Sequence, residues 1–158
     1  QAAHQYAAHY MQDADASRDE LSPADLSPEL TKHFRGLRLW LPLKLAGVAP
    51  FRAALEEKML LARYFRERLL EVPGFEVGPA PDLSVVTFRY LPSRGDVTAF
   101  NERLVEEIRE DGRIFLSSSI IDGKYTIRLA VLVFRTHRHT IDLAIDVLQE
   151  LAARIERE

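Results

Sequence analysis

Ile114-Phe115-Leu116-Ser117-Ser118-Ser119-Ile120-Ile121-Asp122-Gly123-Lys124-Tyr125-Thr126-Ile127-Arg128-Leu129-Ala130-Val131-Leu132-Val133 is the stretch that decides the fold. Two runs rich in β-branched and aromatic residues flank Asp122-Gly123, a dipeptide that accepts the positive φ angles of a two-residue type I′ turn. The pattern predicts an antiparallel hairpin with strands over 114–121 and 124–133. Strand alternation then places Arg128 on the face opposite Ile127 and Leu129.

Outward from this hairpin the pattern changes to helical spacing. Val97, Phe100, Leu104 and Ile108 mark an amphipathic helix, with Asp96 as its cap and Gly112 as its stop. After the hairpin, Ile141, Ala144, Ile145, Leu148, Ala152 and Ile155 form one stripe of a helix running from Arg138 to about Ile155, with Thr136 as the expected cap. Two short strands, 75–78 and 83–91, precede this block and meet at a turn over Pro79–Asp82. Before them Pro50 opens the clearest helix, whose stripe runs through Ala54, Leu55, Met59, Ala62, Phe65 and Leu69 until Pro73-Gly74 ends it. The order is helix, strand, strand, helix, strand, strand, helix. Such stripes are buried most simply by an α/β fold of the α+β kind, a small and mostly antiparallel sheet with helices packed on one face.

The block before Pro50 reads differently. From Asp13 to Glu29 six acids face one base, Arg18, among serines and two prolines, which predicts a loop. Ser27 and Pro28 then have the form of a helix entry. Residues 34–48 are apolar on nearly all sides, so a helix there is expected to be buried on several faces, with Pro42 kinking or ending it. No other segment supplies an obvious partner for it, and the chain opens at Gln1 without Met. Both features suggest a piece of something larger.

Composition narrows the function. The 158 residues are 47% hydrophobic and 28% charged, the balance of a globular protein. With no cysteine, disulfides, thiolate nucleophiles and cysteine-based metal sites are excluded. A formal net charge of −3 offers no concentrated excess of Lys and Arg for a polyanion, so no nucleic-acid partner is expected. Leu37–Val48 falls short of the roughly 20 apolar residues of a membrane span and carries Arg38 and Lys44, so no membrane partner is expected either. Gln1–Tyr10 lacks the basic and apolar regions of a secretory signal, and a cytoplasmic location is the expectation.

Candidate chemistry is sparse. His4 with His9, His137 with His139, and His33 alone lack metal-ligand spacing, so no metal is expected. Ser117–Ser119 lies on a strand rather than in a nucleophile elbow, and no glycine-rich phosphate loop exists among seven glycines. Phe88-Arg89-Tyr90 has aromatic residues of an RNA-stacking type but the wrong strand order around it. Arg128 is the residue with a candidate task, because a planar guanidinium on the face opposite Ile127 and Leu129 can fork onto a carboxylate, although from the residues alone a solvated strand arginine, or one holding a neighbouring loop, is the more common case.

The run Leu26-Ser27-Pro28-Glu29-Leu30-Thr31-Lys32-His33-Phe34-Arg35-Gly36-Leu37-Arg38-Leu39-Trp40 resembles the pyridoxal-phosphate-dependent group II amino-acid decarboxylases, the family of aromatic-L-amino-acid decarboxylase. The likeness continues through Gly47-Val48, Phe75-Glu76-Val77, Phe88-Arg89, Asn101 and Ile127-Arg128-Leu129-Ala130. It spans essentially the whole chain but corresponds to the carboxyl-terminal third of such an enzyme. The resemblance implies the small domain of a fold-type I enzyme over residues 50–158, preceded over 1–49 by a mobile catalytic loop and a helix from the end of the large domain. It implies pyridoxal phosphate as the electron sink, held by a Schiff-base lysine and ring partners upstream of Gln1, so that no cofactor-binding residue is expected in this chain. Lys32, Lys44, Lys58 and Lys124 match no such motif.

By the same resemblance, Tyr10 of Tyr10-Met11 corresponds to the loop tyrosine that returns a proton to the substrate carbon once carbon dioxide has left. The acidic loop would close over substrate, although it is about one residue shorter than in the aromatic enzymes and differs in most side chains. Arg128 corresponds to a small-domain arginine aimed at the substrate carboxylate, and Arg35, Arg38 and Trp40 to structural positions. The implied partners are an amino-acid substrate with an aromatic side chain, the N-terminal large domain and a second subunit in a homodimer, and the isolated piece is expected to be inactive. The competing reading is a free-standing small α/β ligand-binding or interaction module without catalysis. A different lyase or aminotransferase-like reaction on the same fold is a further alternative.

Overall fold

A computed structural model describes residues 33–158. These residues fall into two units divided between Gly47 and Val48. The first holds helix α1 (Leu37–Ala46). The second contains α2 (Ala49–Leu70), β1 (Phe75–Val77), β2 (Val85–Tyr90), α3 (Val97–Asp111), β3 (Ser117–Ile121), β4 (Lys124–Ala130) and α4 (Arg138–Arg157).

Helix α1 passes through Pro42 and carries the exposed apolar side chains expected of a helix without a partner in the chain. Pro42 neither ends nor replaces it, since the helix runs four residues further and closes with Gly47 N–H on the Leu43 carbonyl at 2.9 Å. Proline there cannot donate to the carbonyl of Arg38, but Arg38 is exposed and solvent can serve that oxygen. None of its residues is buried, and Leu39, Trp40 and Leu45 are mostly exposed.

The four strands form one antiparallel sheet in the order β1-β2-β4-β3. Asp122 and Gly123 adopt φ values of 49° and 74°, as the tight hairpin turn requires. The strands are shorter than the apolar runs: β4 ends at Ala130, and after one more bond, Val131 N–H to the Ser84 carbonyl, the chain leaves the sheet. Because β4 pairs with both β2 and β3, its side chains are flanked on each side, with Thr87 and Ser117 aligned with Arg128.

One sheet face and three helices make the core. Val86, Phe88, Ile127 and Leu129 point toward Phe65 and Leu69 of α2, Leu104 and Ile108 of α3, and Leu148 and Leu151 of α4, all buried. Phe88 meets Phe65 with ring centroids 5.5 Å apart, and Tyr90 stacks on Phe100 at 4.9 Å. The aromatic residues of the 88–90 run therefore serve packing, while Arg89 between them pairs with Glu76 on the opposite face.

Asp96 caps α3 through its carboxylate, which accepts the Ala99 N–H at 2.8 Å, and Gly112 ends that helix in the left-handed region. The cap expected at Thr136 is not formed. His137 occupies that position without a capping side-chain bond, and Thr136 contributes its carbonyl to α2 instead.

Candidate functional site

The sheet face turned away from the helices carries the candidate site, because β4 brings Arg128 to its middle. Arg128 Nη2 donates to Ser117 Oγ at 3.2 Å, so the first residue of the serine run has a hydrogen-bonding role. Arg128 Nε is buried and has no partner among the described residues. A buried donor left unmatched costs about 1–3 kcal/mol, so this guanidinium can take a further acceptor.

Its surroundings differ in the two strand directions. Toward one end lie Glu76 and Arg89, already paired with each other; the hydrogen bond from Arg89 holds the Glu76 carboxyl below its usual range and keeps it ionised. Toward the other end lie Val85 and Ala130, aligned with one another and exposed. Arg89 thus has a carboxylate partner, whereas no carboxylate pairs with Arg128 among the described residues. A fork donor bordered by polar and apolar strips is suited to a carboxylate on a small molecule.

Tyr10, together with the acidic loop and the Ser27-Pro28 helix entry, lies outside the described residues. The histidines at 137 and 139 have ring centroids 6.3 Å apart, but His137 Nδ1 is engaged with Glu57 Oε1 at 2.7 Å. No group of described residues has the composition of a metal site. No described helix is long and apolar enough to cross a membrane.

Pyridoxal phosphate requires a lysine amine for its covalent link, a carboxylate for its ring nitrogen and donors for its phosphate. The described lysines do not fit that demand. Lys44 and Lys124 are exposed at the end of α1 and the start of β4, and Lys58 is buried and already bonded to Glu57 and Thr136. Among the described residues, no lysine is placed to form the covalent link, while Arg128 carries a donor able to take a carboxylate oxygen.

Lys58 is the polar residue that sequence reasoning missed. A signal for it existed, since Lys58 continues the buried stripe of Leu61, Ala62, Phe65 and Leu69 at helical spacing.

Known proteins share this architecture. Tyrosine decarboxylase 2 of Arabidopsis thaliana is 32% identical over 136 residues, covering 84% of this chain and 25% of its own length. Aromatic-L-amino-acid decarboxylase of Bacillus atrophaeus is 31% identical over 152 residues, covering 93% of this chain and 31% of its own. The crystal structure of Catharanthus roseus tryptophan decarboxylase in complex with L-tryptophan superimposes with a TM-score of 0.72 at 27% identity, over 83% of this chain and 28% of that one. The chain is homologous to the carboxyl-terminal part of the group II pyridoxal-phosphate-dependent amino-acid decarboxylases.

No single family model matches the chain. It spans about a quarter to a third of the length of these decarboxylases and corresponds to their carboxyl-terminal part. The four-stranded sheet with its three helices is thus a decarboxylase carboxyl-terminal architecture, and Arg128 stands on its open face.

Proposed function

We propose that this chain is the carboxyl-terminal portion of a pyridoxal-phosphate-dependent decarboxylase that removes the α-carboxylate of an aromatic amino acid. The observation that carries the reading is Arg128, a guanidinium with an unmatched buried N–H on the open sheet face of a domain superimposable on tryptophan decarboxylase. Residues 50–158 are the small domain and residues 1–49 the end of the large domain, with the cofactor and its lysine held elsewhere in the parent enzyme. The exposed apolar side chains of α1, Leu39, Trp40 and Leu45, support association with further protein, including the second subunit of a cytoplasmic homodimer.

In this assignment Arg128 and Tyr10 have separate tasks. Arg128 binds and orients the amino acid through its carboxylate, using its fork geometry. Since the carboxylate leaves, an arginine gripping it equally in ground and transition states favours substrate binding more than turnover. The phenol of Tyr10 then gives a proton to the carbon that carried the carboxylate, acting as a general acid. The acidic stretch following Tyr10 closes over the substrate and excludes water.

The test is carbon dioxide release by the full-length parent, loaded with cofactor, from aromatic and acidic amino acids. Release from an aromatic substrate with formation of the matching amine supports the assignment. Absence of release from every amino acid overturns it.

A further inference from the structure

Lys58 is the only buried charged residue among the described ones, at 3% exposure. An ammonium withdrawn from water is retained only when its protons are matched. Here they reach in two directions, to Glu57 Oε2 at 2.8 Å and to the main-chain carbonyl of Thr136 at 2.5 Å. Glu57 serves both sides of the contact, because its other oxygen, Oε1, meets His137 Nδ1. Helix α2 therefore grips the two residues that lead into α4.

That grip stands in for the missing helix cap. The start of α4 has neither a capping side chain nor an acidic residue in its first turn. One turn further, the Tyr64 hydroxyl donates to Asp142 Oδ1 at 2.6 Å, and the Arg138 guanidinium lies 5.1 Å from the centre of the Tyr64 ring. The entry of α4 is thus attached to α2 through side chains of both helices, with the buried ammonium as the contact to main chain.

Between β4 and α4 the chain has no regular structure, and its main-chain bonds beyond the sheet reduce to Thr136 N–H on the Val133 carbonyl at 3.0 Å. Yet this connection exposes Leu132, Val133 and Phe134 to solvent by 68%, 64% and 73%. An irregular segment with three apolar side chains in water gains free energy by collapsing onto neighbouring surface unless its path is fixed. We propose that Lys58, oriented by Glu57, is a strap that fixes the β4–α4 connection in one conformation and so sets where Leu132, Val133 and Phe134 are presented. This role is independent of the decarboxylase assignment and stands or falls separately from it.

Hydrogen–deuterium exchange of the 158-residue chain tests the strap, comparing wild type with Lys58→Met, Lys58→Arg and Glu57→Gln. Removing a charged hydrogen-bond donor should accelerate exchange about tenfold or more in peptides covering 131–141 of Lys58→Met, leaving β1 and α3 unchanged. Lys58→Arg should restore most of the protection, and Glu57→Gln should raise exchange in the same peptides by less. Unchanged exchange at 131–141 in Lys58→Met, or a rise spread evenly over the domain, overturns the proposal. Should Lys58→Met fail to fold, an unchanged 131–141 region in Glu57→Gln overturns it equally.

Discussion

The side-chain amide of Asn101 in α3 reads both polar groups of the Tyr90 main chain, accepting its N–H and donating to its carbonyl, each at 2.8 Å. A second donation to the Val97 carbonyl at 2.7 Å satisfies the remaining amide proton. Asn101 is fully buried, so these bonds attach the helix to the end of β2 where water cannot replace them. Replacement by alanine should lower unfolding stability by about 2–3 kcal/mol, the cost of stranding buried donors and acceptors. Urea denaturation of the chain measures it, and a loss below about 0.5 kcal/mol would show that these bonds contribute little net stability.

Gly74 provides a steric counterpart. It sits at φ 88°, and a Cβ placed there would lie 2.5 Å from the Tyr90 ring. Gly74→Ala should therefore destabilise the domain by about 1–3 kcal/mol, combining left-handed backbone strain with displacement of a ring that packs against Phe75 and Phe100. Thermal unfolding together with near-ultraviolet circular dichroism checks this, and an unchanged aromatic signal would contradict the displacement.

Acid should weaken the fold in a defined direction. Glu57 is held below the ordinary 4.5 by hydrogen bonds from Lys58 and His137, Glu76 by Arg89, and Glu156 by Ser93. Carboxyls lowered in the folded state contribute stability that is fully present above the unfolded value and disappears as pH falls through the folded values. The melting temperature should accordingly hold steady from neutral pH down to about 5, then fall below 4.5 as these groups protonate. A midpoint unchanged between pH 6 and 3 would contradict the pairings.

Much of this fold is legible from local chemistry. The Asp122-Gly123 turn, the Asp96 cap and the Gly112 stop each depend on a few adjacent residues whose φ preferences or capping atoms act locally, and the structure contains all three. Less legible is anything set by distant partners. The central position of β4 depends on β2 and β4 meeting across α3, and the entry of α4 depends on Lys58, 78 residues from Thr136. Thr136 has the right side chain for a cap, but α2 occupies its carbonyl and His137 takes the cap position. Of the two outcomes expected at Pro42, an end to the helix does not occur, since the Arg38 carbonyl left without a donor belongs to an exposed residue that solvent can serve. At the candidate site, alternation alone assigns Arg128 to the face away from the core, whereas its unmatched Nε depends on which neighbours the sheet sets around it.

The role of Arg128 is tested most directly by comparing ligands that differ in the group it is assigned to bind. In the full-length parent, Arg128→Ala should weaken binding of a carboxylate-bearing, non-reacting substrate analogue by about 10- to 100-fold, the worth of a charge-assisted hydrogen-bond pair. The corresponding amine, which lacks the carboxylate, should bind wild type and variant within about threefold of one another. Equal losses for both ligands, or no loss for either, would contradict the assignment of the open sheet face as the carboxylate receptor.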